Sequence, residues 1–160
     1  MAASVAPAKS TPVLRSGKYL NHYNGIAMSK DRTQGHAHHD VVELRFLEKV
    51  SARLPEDLEV LQALAELYTK TGEYDKGWGI DLRLSQLLPN DDLVWYNLGC
   101  SHALTHHFDE AFEALSKAID LGYGDYDWMK TDPDLANLND DPRFESLLNW
   151  LYTVCNEEEI

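Results

Sequence analysis

Cysteine is nearly absent from this chain: Cys100 and Cys155 are the only two. Two cysteines cannot build a disulfide framework, and their separation has no zinc-ligand spacing. They read as reduced thiols of a cytosol-like compartment, so a cytoplasmic protein is expected. Long apolar runs are missing as well. No stretch approaches the roughly 20 residues that span a bilayer, so membrane insertion is not expected. The N-terminus lacks the continuous apolar core of a secretory signal. Its first thirty residues also lack any acidic side chain. That is a faint feature of organelle transit peptides, and a minor alternative to a plain leader.

Bases are scarce: 14 Lys and Arg stand against 27 Asp and Glu, a formal charge of −13. The imbalance is uneven. Residues 1–40 carry five bases and two acids, a balance of +3, and the remainder carries 9 bases and 25 acids, a balance of −16. A body so acidic repels phosphate backbones, which excludes nucleic acid as a partner and favours basic or apolar ones. Alternation of period two is nowhere sustained, which leaves no strand to predict.

What is present is helical. Hydrophobic residues make up 44 % of the 160, enough for one domain with a core plus tails. Residues 1–38 hold Ala, Pro, Ser, Gly and scattered charge, and read as a disordered or extended leader. Within it, Tyr19, Leu20, Tyr23 and Ile26 are candidate anchors, and GHAHHD supplies His36, His38 and His39. From residue 40, Val41, Leu44, Leu47, Val50 and Leu54 share a helical face, and Pro55 ends it. Leu58, Leu61, Leu64, Ala65 and Tyr68 form the next stripe, broken at Gly72. Further helices are expected from Tyr74 to Leu88, Asp92 to Thr105 and Asp109 to Leu121. The turns between them are short, so neighbours run antiparallel.

A shift of 34 residues superimposes these helices. Pro55 lands on Pro89, Leu61 on Trp95, Leu64 on Leu98, Ala65 on Gly99, Tyr74 on Phe108 and Gly77 on Ala111. The second copy, with Trp95, Leu98, Gly99, Ala111, Leu115 and Ala118, resembles the tetratricopeptide repeat. Small residues at 99 and 111 suit two helices in close approach, with Trp95 and Leu98 filling the space beside them. The first copy departs at Gly77 and at Asp81, where a bulky apolar residue is usual, and His102 replaces the usual Tyr. The resemblance covers roughly residues 40–122. It implies an all-α, right-handed superhelical stack of antiparallel hairpins: a half-repeat at 40–54 and repeats at 57–89 and 92–122.

The period is expected to end at Gly122. Asp132-Pro133 and Asp141-Pro142 then each pair an Asp N-cap with Pro at the first helical position. Residues 123–152 resemble the DPDL…DPRF ending of bacterial tetratricopeptide proteins and read as a cap over the exposed end of the stack. Asn139 stands where those endings commonly carry Arg. The helical domain thus runs over 39–155, and an acidic tail follows at 156–160.

The resemblance implies a binding scaffold, not an enzyme. There is no HExxH, Gly-rich phosphate loop or strained serine elbow, and neither a cofactor nor a bound metal is expected. The family's concave surface is lined by the first helix of each hairpin. It maps onto Leu93, Tyr96, Asn97, Cys100, Ala103 and Leu104, and onto Glu59, Gln62, Ala63, Glu66 and Lys70. A tyrosine and an asparagine there suit an extended peptide or a helix of a protein partner. Glu66 stands where a carboxylate clamp would need Asn, which disfavours that mode. So short a stack also suits self-association, or a place as one subunit of a larger assembly, anchored through the leader. A third alternative, metal binding or hydrolysis, would use His102, His106 and Asp109.

Overall fold

Aspartate and glycine punctuate the chain, and the computed structural model shows how closely the helices obey them. It describes residues 33–157. Seven α-helices follow in order: α1 Thr33–Arg53, α2 Leu58–Lys70, α3 Tyr74–Leu87, α4 Asp92–Leu104, α5 Phe108–Asp120, α6 Tyr126–Thr131 and α7 Pro142–Glu157. A 3-10 helix, Pro133–Leu138, lies between the last two. No strand occurs among the described residues. Consecutive helices pack in pairs, α2 on α3 and α4 on α5, with α3 also against α4. The architecture is an all-α solenoid.

The period runs further than expected. Helices α2, α4 and α6 start at 58, 92 and 126, and α3, α5 and α7 at 74, 108 and 142. Asp57, Asp91 and Asp125 cap the first set at the same spacing. Their carboxylates accept from the N–H of Val60 at 3.1 Å, of Leu93 and Val94 at 3.0 Å, and of Trp128 at 3.0 Å. Residues 126–157 are therefore a third unit in the same register. Its first helix is interrupted: Asp132 and Pro133 fall where the second unit has Leu98 and Gly99. Proline cannot donate to the ladder, and Asp132 caps the 3-10 helix through the Asp134 N–H at 2.9 Å. The side-chain signature disappears at Gly122, whereas the backbone period does not.

The turns repeat too. Gly72 has φ 78°, which lets the N–H of Glu73 return to the Tyr68 carbonyl at 2.8 Å. One period later His106 takes φ 62°, and the N–H of His107 returns to the His102 carbonyl at 2.9 Å. His106 thus fills a left-handed position that glycine fills in the preceding repeat.

Two apolar clusters hold the first hairpins. Leu44, Leu64, Leu67 and Tyr68 tie α1 to α2, with Ile80 of α3 packed alongside. Leu61, Leu84 and Val94 tie α2, α3 and α4. The α4–α5 contact is tighter. A Cβ on Gly99 would stand 2.7 Å from Cγ and Cδ2 of Leu115, which is fully buried. Asp81 is buried in the slot where an apolar residue was expected, and the Ser101 hydroxyl donates to its Oδ2. That bond is a polar tie between α3 and α4. Among the described residues α1 covers Thr33–Arg53, so it includes residues before the apolar stripe that starts at Val41.

Candidate functional site

The first helix of each hairpin carries the residues expected to face a partner, and the structure divides them. Tyr96 and Cys100 of α4 are not open: they are 2 % and 6 % exposed. The 3-10 helix packs on α4, and the Tyr96 phenol donates to Asp132 Oδ2 at 2.7 Å. The Cys100 thiol points to the same oxygen at 3.7 Å. The Tyr96 ring stacks on Tyr123, with centroids 4.3 Å apart and planes 4° apart. Burial, then the neighbouring thiol, Tyr123 and Asp132, keep the Tyr96 phenol neutral far above its usual range. These two side chains belong to the joint between the second and third units, which corrects their expected place on the open face. The joint needs a buried acceptor, and Asp132 supplies it.

The remaining positions are partly accessible. Leu93, Asn97 and Leu104 on α4 are half-buried, as are Gln62, Ala63 and Glu66 on α2. Ala103 is fully buried, and its carbonyl accepts from the Asn137 amide at 3.2 Å. Glu59 and Lys70 are exposed, and the Lys70 ammonium pairs with Asp40 at 2.7 Å. No described residue hydrogen-bonds the side-chain amides of Gln62 or Asn97. They present two donors and an acceptor each beside the half-buried Leu93, Ala63 and Leu104.

The histidines separate. His102 is buried, with its ring 5.9 Å from both Trp78 and His107. Trp78 and His107 stack at 5.3 Å, and His107 Nδ1 lies 2.9 Å from the Thr105 hydroxyl. Burial lowers the His102 pKa; Glu110, Glu113 and Asp81 oppose that effect, and His107 adds to it. His106 faces Phe108 edge-on instead, and Asp109 is held by Arg143 at 2.6 Å. The set His102, His106 and Asp109 therefore does not converge as metal ligands: the turn at His106 swings one ring away, and Arg143 takes the carboxylate. The group that does converge among the described residues is His39, Asp40 and Glu43 on α1, with donor atoms within 4.8 Å of one another. Asp40 is already neutralised by Lys70, and His39 lies 3.6 Å from Glu43, its i+4 neighbour. The side chains of His36 and His38, and the anchors Tyr19, Leu20, Tyr23 and Ile26, lie outside the described residues.

The cap has the ionic tie that Asn139 does not supply. Arg143, just past the second Asp-Pro pair, pairs with Asp141 at 2.7 Å and Asp109 at 2.6 Å, its guanidinium 4.3 Å above the Phe112 ring. Arg143 holds the Asp141 carboxyl below the usual carboxylate range. The 34-residue spacing of Asp57, Asp91 and Asp125 is the signal that would have revealed this third unit in the sequence.

No described helix is long and apolar enough to cross a membrane. No family model matches the chain. Over 104 residues it is 28 % identical to the peroxisomal targeting signal receptor of Candida glabrata, a span of 65 % of this chain. The chain covers 18 % of that receptor's length, so the similarity concerns one portion of a much longer protein.

Proposed function

We propose that this chain is a non-catalytic interaction module of tetratricopeptide type. It takes an extended peptide or a helix of a partner protein along the first helices of its hairpins. The observation that carries the reading is the pair of half-exposed amides, Gln62 on α2 and Asn97 on α4, with no side-chain hydrogen bond to a described residue. A primary amide donates and accepts at once, which suits the alternating N–H and C=O groups of a peptide backbone. Leu93, Ala63 and Leu104 beside them supply apolar contact for side chains. Similarity to a protein named as a targeting signal receptor supports a role in recognising other proteins.

Tyr96 is a poor reporter of this function, because its removal would disturb the Asp132 joint. The informative variants are Gln62→Ala and Asn97→Ala. Loss of a bound partner at unchanged thermal stability supports the reading. Retention of every partner by the double variant contradicts it.

A further inference from the structure

Outside this face, the solvent side of α1 stands apart from the rest of the molecule. Val42, Arg45, Phe46, Lys49 and Arg53 recur at helical spacing and are all exposed, Val42 at 56 % and Phe46 at 63 %. At 100° per residue they fall within a stripe about 100° wide and about 16 Å long. No acidic residue lies on it.

Cations are scarce here, and several of the others are engaged. Lys70 pairs with Asp40, Lys76 with Glu73, Arg83 with Glu56, and Arg143 with Asp109 and Asp141. Arg45, Lys49 and Arg53 make no ion pair with a described residue. A chain of 27 acids and 14 bases thus leaves three bases on one stripe without an ion pair to a described residue, beside two open apolar side chains.

The repeat supplies an internal control. One and two periods after Val42 stand Lys76 and Glu110; after Phe46 stand Ile80 and Ala114. Ile80 packs into the apolar clusters and Ala114 is 3 % exposed. The Phe46 position, which neighbouring helices cover in α3 and α5, is thus open on α1, where a larger apolar residue fills it.

We propose that this stripe docks an amphipathic helix of a partner protein, one whose apolar seam is bordered by Asp and Glu. Val42 and Phe46, one turn apart, match the seam of a single helix; Arg45 borders them on one side, Lys49 and Arg53 continue the same line towards the C-terminus, and these three cations match acidic residues beside the partner's seam. A lipid surface fits less well. Two apolar side chains make a shallow anchor, and the acidic remainder of the molecule opposes anionic headgroups.

The test uses the full chain, labelled with 15N, and two synthetic amphipathic helices: one of Leu and Glu, the other with Lys for every Glu. The acidic helix is expected to shift the amides of residues 42–53 and to bind about tenfold tighter than the basic one. Arg45→Glu with Lys49→Glu should invert that preference. Phe46→Ser should weaken binding about tenfold. All three positions are exposed, so helicity serves as the folding control. Equal affinity for both helices, shifts confined to other helices, or tighter binding to phosphatidylserine vesicles through the same stripe would each overturn the proposal. A doubled mass in light scattering that Phe46→Ser restores to one chain would assign the face to a second copy instead.

Discussion

The Tyr96 hydroxyl and the Asp132 carboxylate, 36 residues apart in sequence, meet at 2.7 Å in a buried joint between α4 and the cap. The phenol, the Cys100 thiol and the Asp134 N–H all point at that one carboxylate, with no cation beside it in these contacts. Taking one hydrogen-bond partner away from a buried polar group costs about 1–3 kcal/mol. Tyr96→Phe should therefore lower unfolding stability by about that amount, read as a fall in urea midpoint at unchanged m-value. An unchanged midpoint would mean that the joint contributes nothing.

The left-handed turn at His106 gives a second expectation. A non-glycine residue at φ near 60° costs about 1–2 kcal/mol, while glycine loses about 0.5–1 kcal/mol of unfolded-chain entropy. The net effect of His106→Gly is a gain of about 0.5–1 kcal/mol, measured by thermal or urea unfolding. Gly72→Ala, at the same turn one period earlier, should lose about 1 kcal/mol.

Glycines inside helices should divide by their surroundings. Gly99→Ala drives a methyl against Leu115 where α4 meets α5, and should cost about 1–3 kcal/mol despite better helix propensity. Gly79 in α3 is exposed and has nothing within 4 Å of its added Cβ, so Gly79→Ala should stabilise by up to about 1 kcal/mol. Differential scanning calorimetry of the two variants decides the matter by sign alone.

His102 links stability to pH. Burial lowers its pKa in the folded state below the ordinary histidine value of about 6.5, so the unfolded chain takes up the proton first. Its contribution is fully present above pH 6.5 and is lost as pH falls from there towards the lowered folded value. Stability measured from pH 7.5 down to 5.5 should therefore drop more in the native protein than in His102→Phe, which keeps an aromatic ring against Trp78. Parallel curves would remove His102 as the source.

Much of this fold is written in residue spacing. Pro55, Pro89, Gly72 and the Trp95–Ala118 set locate four helices, because each acts through local sterics or a single close contact. The third unit was hidden since Asp132 and Pro133 replace the apolar and small residues that advertise a repeat, while its capping aspartate and Met129, the counterpart of Leu61 and Trp95, stay in register. The open face was half legible. Periodicity assigns Tyr96 and Asn97 to the same helix but does not say that a folded-back 3-10 helix covers one of them. His106 reads as an ordinary turn residue until its φ is known. The bare stripe on α1 was invisible for a different reason: exposure of Val42 and Phe46 depends on what is packed beside α1, not on α1 itself.

The central claim is recognition of a protein partner through Gln62 and Asn97. Its most direct test is affinity capture from the source cells with the full chain as bait, quantified by mass spectrometry, comparing the native protein with Gln62→Ala/Asn97→Ala. The account predicts a partner recovered near stoichiometry by the native chain and reduced about tenfold by the double variant, at equal thermal stability. Equal recovery by both baits would contradict it.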